Sequence, residues 1–283
     1  MNRLFVVNKP IFVSSNNYMY RIKREFNTKK VGFSGTLDPF ATGCLIVATG
    51  QYTKLFQFLK KSPKSYRATM WLGASSNSLD IENITSIKSA KELNINIIKE
   101  TLNSLLGEQT YLPPKYSAKK INGKKAYDLA RANIDVKLNE ITSTIYNINL
   151  INYNHPFITF EIEVSEGSYI RSLAQIIAQK LGADATLSAL HRINEGDFYY
   201  NNKKPLNPFK MLKIPNNEFL ADEEILELGK KIDSTYFKIK TDGIYLIESK
   251  NFYSIIEINN TEVKYRLNRL SKEWSWSKSL MQR

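Results

Sequence analysis

Cysteine is almost missing from this chain. Of 283 residues only Cys44 carries a thiol, so no disulfide can form within the chain and a reducing compartment suits it. Cys44 opens an apolar run and reads as a small buried hydrophobe, not as a catalytic thiol. Histidine is equally scarce: His155 and His191 stand far apart without ligand-like spacing, which argues against a zinc site. No apolar run approaches the length that crosses a bilayer, and Met1 to Lys9 is too short for a secretory leader, so a cytoplasmic protein without a membrane partner is expected. Acidic residues are outnumbered, 27 against 40 Lys and Arg, leaving a formal charge of +13. Part of that excess can reflect a genome of biased base composition, given the abundance of Lys, Asn and Ile. A polyanionic partner, nucleic acid first, is the functional expectation. Internal repeats and low-complexity segments are lacking too.

What is present suits a globular fold. The apolar fraction of 42% supplies a sizeable core, enough for one large domain with a small appendage. Leu4 to Val7 reads as a strand; Ser14-Ser15-Asn16 offers helix N-caps, with Met19, Ile22 and Phe26 at helical spacing behind. Tyr66, Ala68, Met70 and Leu72 share one strand face, as do Ile158, Phe160, Ile162 and Val164. An amphipathic helix is expected over residues 95–106 with Gly107 as its C-cap, and another after Ser168 with a stripe of Ile170, Leu173, Ala174, Ile177 and Leu181, ended by Gly182. Strand patterns at 141–150 and beyond about residue 235, and a short acidic helix at 222–231, complete the reading. Strands and helices mix without regular βαβ alternation, so the expected class is α+β.

The stretch Gly35-Thr36-Leu37-Asp38-Pro39-Phe40-Ala41-Thr42-Gly43 carries the most chemistry. Proline drives the residue before it towards extended backbone, so Asp38 belongs on a loop. Leu45-Ile46-Val47-Ala48 follows as a short buried strand, which sets the carboxylate at the mouth of a packed sheet. A carboxylate so placed suits nucleophilic or electrostatic chemistry on a sugar carbon. A lone Asp-Pro more often closes an Asx turn, and both readings stand on this stretch alone.

Other motifs join it in order: Lys9-Pro10 with Ser14-Ser15-Asn16, Lys54, Ser65-Tyr66-Arg67, Tyr116-Ser117-Ala118, Gly123-Lys124-Lys125-Ala126-Tyr127 and Gly167-Ser168-Tyr169-Ile170-Arg171. With this order and spacing, the chain resembles the bacterial tRNA pseudouridine synthases of the TruB family over roughly residues 4 to 200. The resemblance implies a long, mixed, largely antiparallel sheet with flanking helices. It implies isomerisation of uridine 55 in the tRNA T-loop to pseudouridine, with no cofactor and no metal. It divides the chain into a catalytic domain over 1–215, with a basic RNA-contacting insertion at 113–131, and a small appendage over 216–283 that is a degenerate PUA-like module. The partner implied is the T-loop and T-stem of tRNA; no obligate protein partner is evident.

The same resemblance assigns roles. Asp38 is the essential carboxylate, adding to C1′, taking the C2′ proton on the way to a glycal, or attacking C6 of the base; the sequence leaves these routes open. Arg171 keeps it ionised. The target base must leave the T-loop stack, and Tyr66 matches the tyrosine that stacks on it and can assist removal of the C5 proton. Tyr169 and Asp80 are placed among the substrate-binding residues, Tyr169 lining the base pocket and Asp80 as a supporting acidic position. Lys9, Lys54 and the segment holding Lys115, Lys119, Lys120, Lys124, Lys125 and Arg131, with Tyr116 and Tyr127 interleaved, would meet RNA. Two positions depart from the family: Phe33 stands where a histidine is usual, keeping an aromatic surface for stacking or shape, and Phe12 where a glycine is usual. A tRNA-binding folding helper, a synthase for another RNA and a generic basic RNA-binding protein are the rival readings.

Overall fold

Two period-two patterns sit side by side and seed the main sheet. Tyr66, Ala68, Met70 and Leu72 alternate inward on one strand, and Ile162, Phe160 and Ile158 lie opposite the first three on its neighbour. The computed structural model describes residues 1–117, 120, 121, 123–126, 132, 134 and 138–273. In chain order come β1 (Arg3–Lys9), α1 (Ser15–Glu25), β2 (Val31–Phe33), β3 (Thr42–Thr49) and β4 (Lys64–Leu72). A hairpin of β5 (Ala74–Ser76) and β6 (Ile84–Ile87) leads to α2 (Ile95–Asn103), β7 (Gly107–Tyr111) and the short pair β8 (Lys120–Ile121) and β9 (Lys124–Lys125). Then follow β10 (Ile141–Asn154), β11 (Phe157–Val164), α3 (Ile170–Lys180), β12 (Ala185–Glu195) and β13 (Phe198–Tyr199). The last part holds α4 (Pro208–Leu212), β14 (Asn216–Asn217), α5 (Glu223–Glu227), β15 (Gly243–Glu248), β16 (Phe252–Asn259) and β17 (Glu262–Ser271).

The nine-stranded sheet runs β1-β3-β12-β4-β11-β10-β7, with β2 on β3 and β13 on β12. Its pairings are antiparallel except β3 with β12, which meet in parallel through Thr42 and Gly43 against His191 and Arg192. That contact brings the chain just after the Asp38 loop beside the far end of β12. α3 lays Ile170, Leu173, Ala174 and Ile177 into the same buried cluster as Ala68, Met70 and Leu187. Ile170, Leu173 and Ile177 each contribute roughly 1.5–3 kcal/mol of gross burial, which fixes the pose of the helix and of Arg171 in its first turn. The α+β class and the long mixed sheet are as expected.

β14, β15, β16 and β17 form a second sheet in that order. It shares a core with the first: Leu246, Ile255, Leu267 and Leu270 pack in one cluster with Leu4, Val6, Ile46, Tyr52 and Leu55. Among the described residues no helix is long and apolar enough to cross a membrane.

Two expectations need correction, and one strand escaped the sequence pattern. α2 stops at Ser104, whose N–H bonds back to the Glu100 carbonyl, and Gly107 opens β7 instead of capping the helix. The acidic helix is a single turn, Glu223–Glu227, because Asp222 caps its start and Gly229 adopts a left-handed φ of 64°. The central strand β12 was not foreseen. Two register irregularities, at Leu187/Ala189 and Arg192/Asn194, break its alternation, and its charged residues Arg192 and Glu195 point inward.

Candidate active site

The Asp38 loop is tied down from several sides before it reaches β3. Ser14 caps α1 by accepting from the Asn17 N–H, which frees Ser15 for another task. Ser15, 1% exposed, takes the Leu37 N–H and donates to the Leu37 carbonyl, both at 3.0 Å. The Pro39 carbonyl receives the Phe12 N–H at 2.7 Å and the Lys9 ammonium at 3.2 Å. Phe12 donates from a left-handed backbone, φ 59°, while its side chain is 65% exposed.

Arg171 organises what the loop presents. Its Nε and Nη2 reach the two oxygens of Asp38 at 2.9 and 3.0 Å, a forked pair that fixes the carboxylate in plane and angle. Nη1 donates to the Ser78 carbonyl at 2.7 Å and to Asp80 at 3.2 Å, and Nη2 donates again to the Tyr116 carbonyl at 2.8 Å. All five guanidinium N–H groups are thus occupied, which no lysine could reproduce. Asp80 is held in turn by the Ser78 hydroxyl at 2.6 Å. Between them Leu79 takes a left-handed φ of 63°, local strain that turns the Ser78 carbonyl and the Asp80 carboxylate onto the same guanidinium.

Burial raises the Asp38 carboxyl above its ordinary value, and neighbouring Asp80 adds to this; Arg171 and Lys9 oppose it. The side chain keeps about a third of its surface open (32%) and both oxygens receive guanidinium hydrogen bonds, so the ionised form is the one the geometry holds. The open side faces a cavity of about 330 Å³, within the usual range of about 300–1,000 Å³ for small-molecule sites. Tyr66, Tyr169, Leu190, Lys64 and Arg192 line it beside Asp38 and Arg171. Burial raises both the Tyr66 and the Tyr169 hydroxyls, so each is a neutral phenol near pH 7.

Of the expected residues, Asp38, Tyr66, Tyr169 and Arg171 therefore meet at one cavity. Two are corrected. Lys9 is fully buried, its ammonium spent on the carbonyls of Pro10, Val13 and Pro39, and burial lowers it to about 8; it braces loops and is shut off from solvent. Asp80 is 2% exposed and turned onto Arg171, so it supports that residue and is not part of the cavity wall. Phe33 is half-buried on β2, packed against the cluster of Phe5, Met19 and Val47, and is not part of the cavity wall. Lys54 is exposed on the 3₁₀ segment Gly50–Gln57, and Lys115 is exposed next to Tyr116. Gly123 forms the turn between β8 and β9, which places the backbones of Lys120, Lys124 and Lys125 on that hairpin. Lys119, Tyr127 and Arg131 lie outside the described residues.

The sequence reading missed a second charged cluster behind the cavity. Glu195, fully buried, takes the Ser34 hydroxyl at 2.8 Å, Arg192 at 2.8 Å and Lys64 at 3.3 Å. Arg192 also donates to the Cys44 carbonyl at 2.7 Å and the Gly35 carbonyl at 3.0 Å. No local motif announces these residues, because they come from four separate segments.

Comparison with known proteins gives a consistent result. Residues 23–170 match the family model described as TruB family pseudouridylate synthase, N-terminal domain. A protein of Sulfurovum sp. (strain NBC37-1) named tRNA pseudouridine synthase B is 64% identical over 272 residues, covering 96% of this chain and 98% of that protein. Proteins of the same name from Sulfurimonas denitrificans and Campylobacter concisus are 51% and 49% identical, covering 95% and 96% of this chain and 99% and 100% of the respective relative. Among solved structures, a chain of a Cbf5-Nop10-Gar1 complex aligns with a TM-score of 0.67 at 20% identity, covering 94% of this chain and 85% of that one. A chain of an H/ACA RNP bound to a substrate RNA containing 2'-deoxyuridine aligns with a TM-score of 0.65 at 17% identity, covering 97% and 87%. At such identities these two share the fold.

Proposed function

The chain belongs to the TruB family of pseudouridylate synthases, and from this we propose that it isomerises the T-loop uridine 55 of tRNA to pseudouridine, with Asp38 as its essential carboxylate. The observation that carries the proposal is the forked Arg171–Asp38 pair at the wall of a nucleoside-sized cavity flanked by two tyrosines.

The reaction breaks the C1′–N1 bond of uridine, its electron pair leaving with uracil. The base turns, the C5=C6 electrons join C5 to C1′, C5 loses its proton, and N1 gains one. Atoms balance without an added group. Asp38 serves this as an ionised carboxylate whether it adds to C1′ or removes the C2′ proton. Arg171 fixes the carboxylate angle, and Asp80, the Ser78 carbonyl and the Tyr116 carbonyl fix Arg171. Pre-set geometry of this kind is worth more than raw affinity, since binding energy speeds the reaction only where it is realised in the transition state.

The uridine must be extruded into the cavity, at a cost of a few kcal/mol that stacking on an aromatic wall offsets by about 1–3 kcal/mol. Tyr66 and Tyr169 provide that wall. With its hydroxyl neutral, Tyr66 acts here as a platform in preference to a proton acceptor. RNA phosphates are met by exposed cations of residues 1–215, among them Lys54 and Lys115. The formal charge favours this division: residues 216–283 hold eleven basic and eleven acidic side chains, so the whole excess of +13 lies in 1–215. The second sheet then acts mainly as a brace on β1 and β3.

The test is pseudouridine formation in an unmodified tRNA transcript, mapped to the nucleotide, beside a ribosomal RNA fragment and with Asp38→Asn as control. Product at the T-loop uridine from the wild type alone is expected. Product in the ribosomal fragment instead would favour a synthase for another RNA. Tight tRNA binding without product from either enzyme would favour the folding-helper reading.

A further inference from the structure

We infer that Arg192, clamped by the buried Glu195, is a positioning residue that holds the strand carrying Tyr66 and the Gly35 carbonyl in one frame, and so sets the distance between the base platform and the catalytic carboxylate. The inference rests on the synthase reading above. The sheet supplies its first support. Arg192 on β12 lies opposite Tyr66 on β4 and beside Gly43 on β3, so it stands where the stacking strand and the strand after the Asp38 loop meet. Glu195 lies opposite Lys64 on the same two strands, just past the irregularity at Arg192/Asn194.

The hydrogen bonds supply the second. From one fully buried guanidinium, Nε reaches the Cys44 carbonyl, and Nη2 reaches both the Gly35 carbonyl and Glu195. Lys64, two residues before Tyr66 on β4, is held by the same Glu195 at 3.3 Å. Gly35 opens the loop that carries Asp38 three residues later. One rigid fork therefore ties both halves of the cavity. Glu195 cannot drift, because Lys64 and the Ser34 hydroxyl hold its other contacts.

Steric fit supplies the third. A side-chain carbon on Gly35 would sit 2.9 Å from the Lys64 ammonium and 3.3 Å from Glu195, and one on Gly43 would sit 2.3 Å from the Arg192 carbonyl. The loop thus rests directly on the charged cluster with no slack. Burying two cations and a carboxylate is costly and rarely a net source of stability compared with apolar packing. A role in holding geometry accounts for such a cluster beneath this cavity.

The test is Arg192→Lys in the full-length enzyme, which retains the charge but gives up the fork. Single-turnover pseudouridine formation is expected to fall about 10- to 100-fold, as expected when a reacting group is misplaced by about 1 Å. Transfer-RNA affinity should change less than about twofold, because the phosphate contacts are elsewhere. In a Tyr66→Ala background the same substitution should cost clearly less, because the platform it positions is already gone. If Arg192→Lys does not fold, Ser34→Ala removes one hydroxyl from the clamp and should slow the chemical step a few-fold with affinity unchanged. An undiminished rate in the folded variants would overturn the inference, as would equal losses of rate and affinity, or losses at Tyr66 and Arg192 that simply multiply. A wild-type enzyme that forms no pseudouridine would instead refute the synthase reading itself.

Discussion

Arg171 and Asp80 push the Asp38 carboxyl in opposite directions, so replacing them one at a time should move the acid limb of activity in opposite directions. Burial and Asp80 raise this carboxyl, and Arg171 lowers it. Activity depends on the ionised form and is lost as pH falls through its raised value. Arg171→Lys surrenders the fork: at most three of the five contacts can be remade, and both Asp38 oxygens no longer share one planar donor. The acid limb should then shift to higher pH. Asp80→Asn removes the carboxylate that raises Asp38 while its amide oxygen can still accept from Nη1, so the limb should shift to lower pH. Breaking a buried pair costs about 3–5 kcal/mol, a large part of the roughly 5–15 kcal/mol that holds a domain folded. Arg171→Lys therefore needs assay well below its melting temperature, with folding checked by circular dichroism. Single-turnover rates measured across pH on one tRNA transcript give both limbs. Shifts of the same sign in the two variants would refute the opposing-charge account, and an unmoved limb in both would show that Asp38 is not the titrating group.

Three further outcomes are expected. Phe12→Gly relieves a left-handed backbone that costs about 1–2 kcal/mol, against roughly 0.5–1 kcal/mol of added glycine entropy, so thermal unfolding should show a slightly more stable protein; a lower melting temperature would mean the exposed ring makes contacts of its own. Gly43→Ala would drive a methyl to 2.3 Å from the Arg192 carbonyl at a φ of 107°, and chemical denaturation should show a loss of about 2–5 kcal/mol; a loss under about 1 kcal/mol would mean β3 and β12 can part freely. Affinity for tRNA should fall steeply with salt, Lys54→Gln or Lys115→Gln should each reduce the slope by about 1, and Lys264→Gln on the charge-balanced second sheet should leave it unchanged.

Where physical signals were local, the sequence reading served well. The alternation of β4 and β11, the apolar stripe of α3 and the proline after Asp38 each depend on neighbours a few residues away, and each appears as read. Lys9 was placed towards RNA by the resemblance alone; only the fold shows three carbonyls converging on its ammonium. Asp80 misled in its role: its place near the site was right, but its orientation depends on the Leu79 backbone, which no composition rule signals. β12 escaped because irregular register and inward charges erase period-two alternation.

The sequence by itself determined the class of the fold, the loop that presents Asp38 and the helix turn that carries Arg171, because turn chemistry and hydrophobic periodicity act over short spans. Tertiary structure alone decided which charges face the cavity and which are consumed beneath it. Arg171 and Arg192 are both buried arginines on regular elements, yet one grips the catalytic carboxylate and the other the floor of the pocket. The difference is set by strand register and by the partners that distant segments bring to each guanidinium.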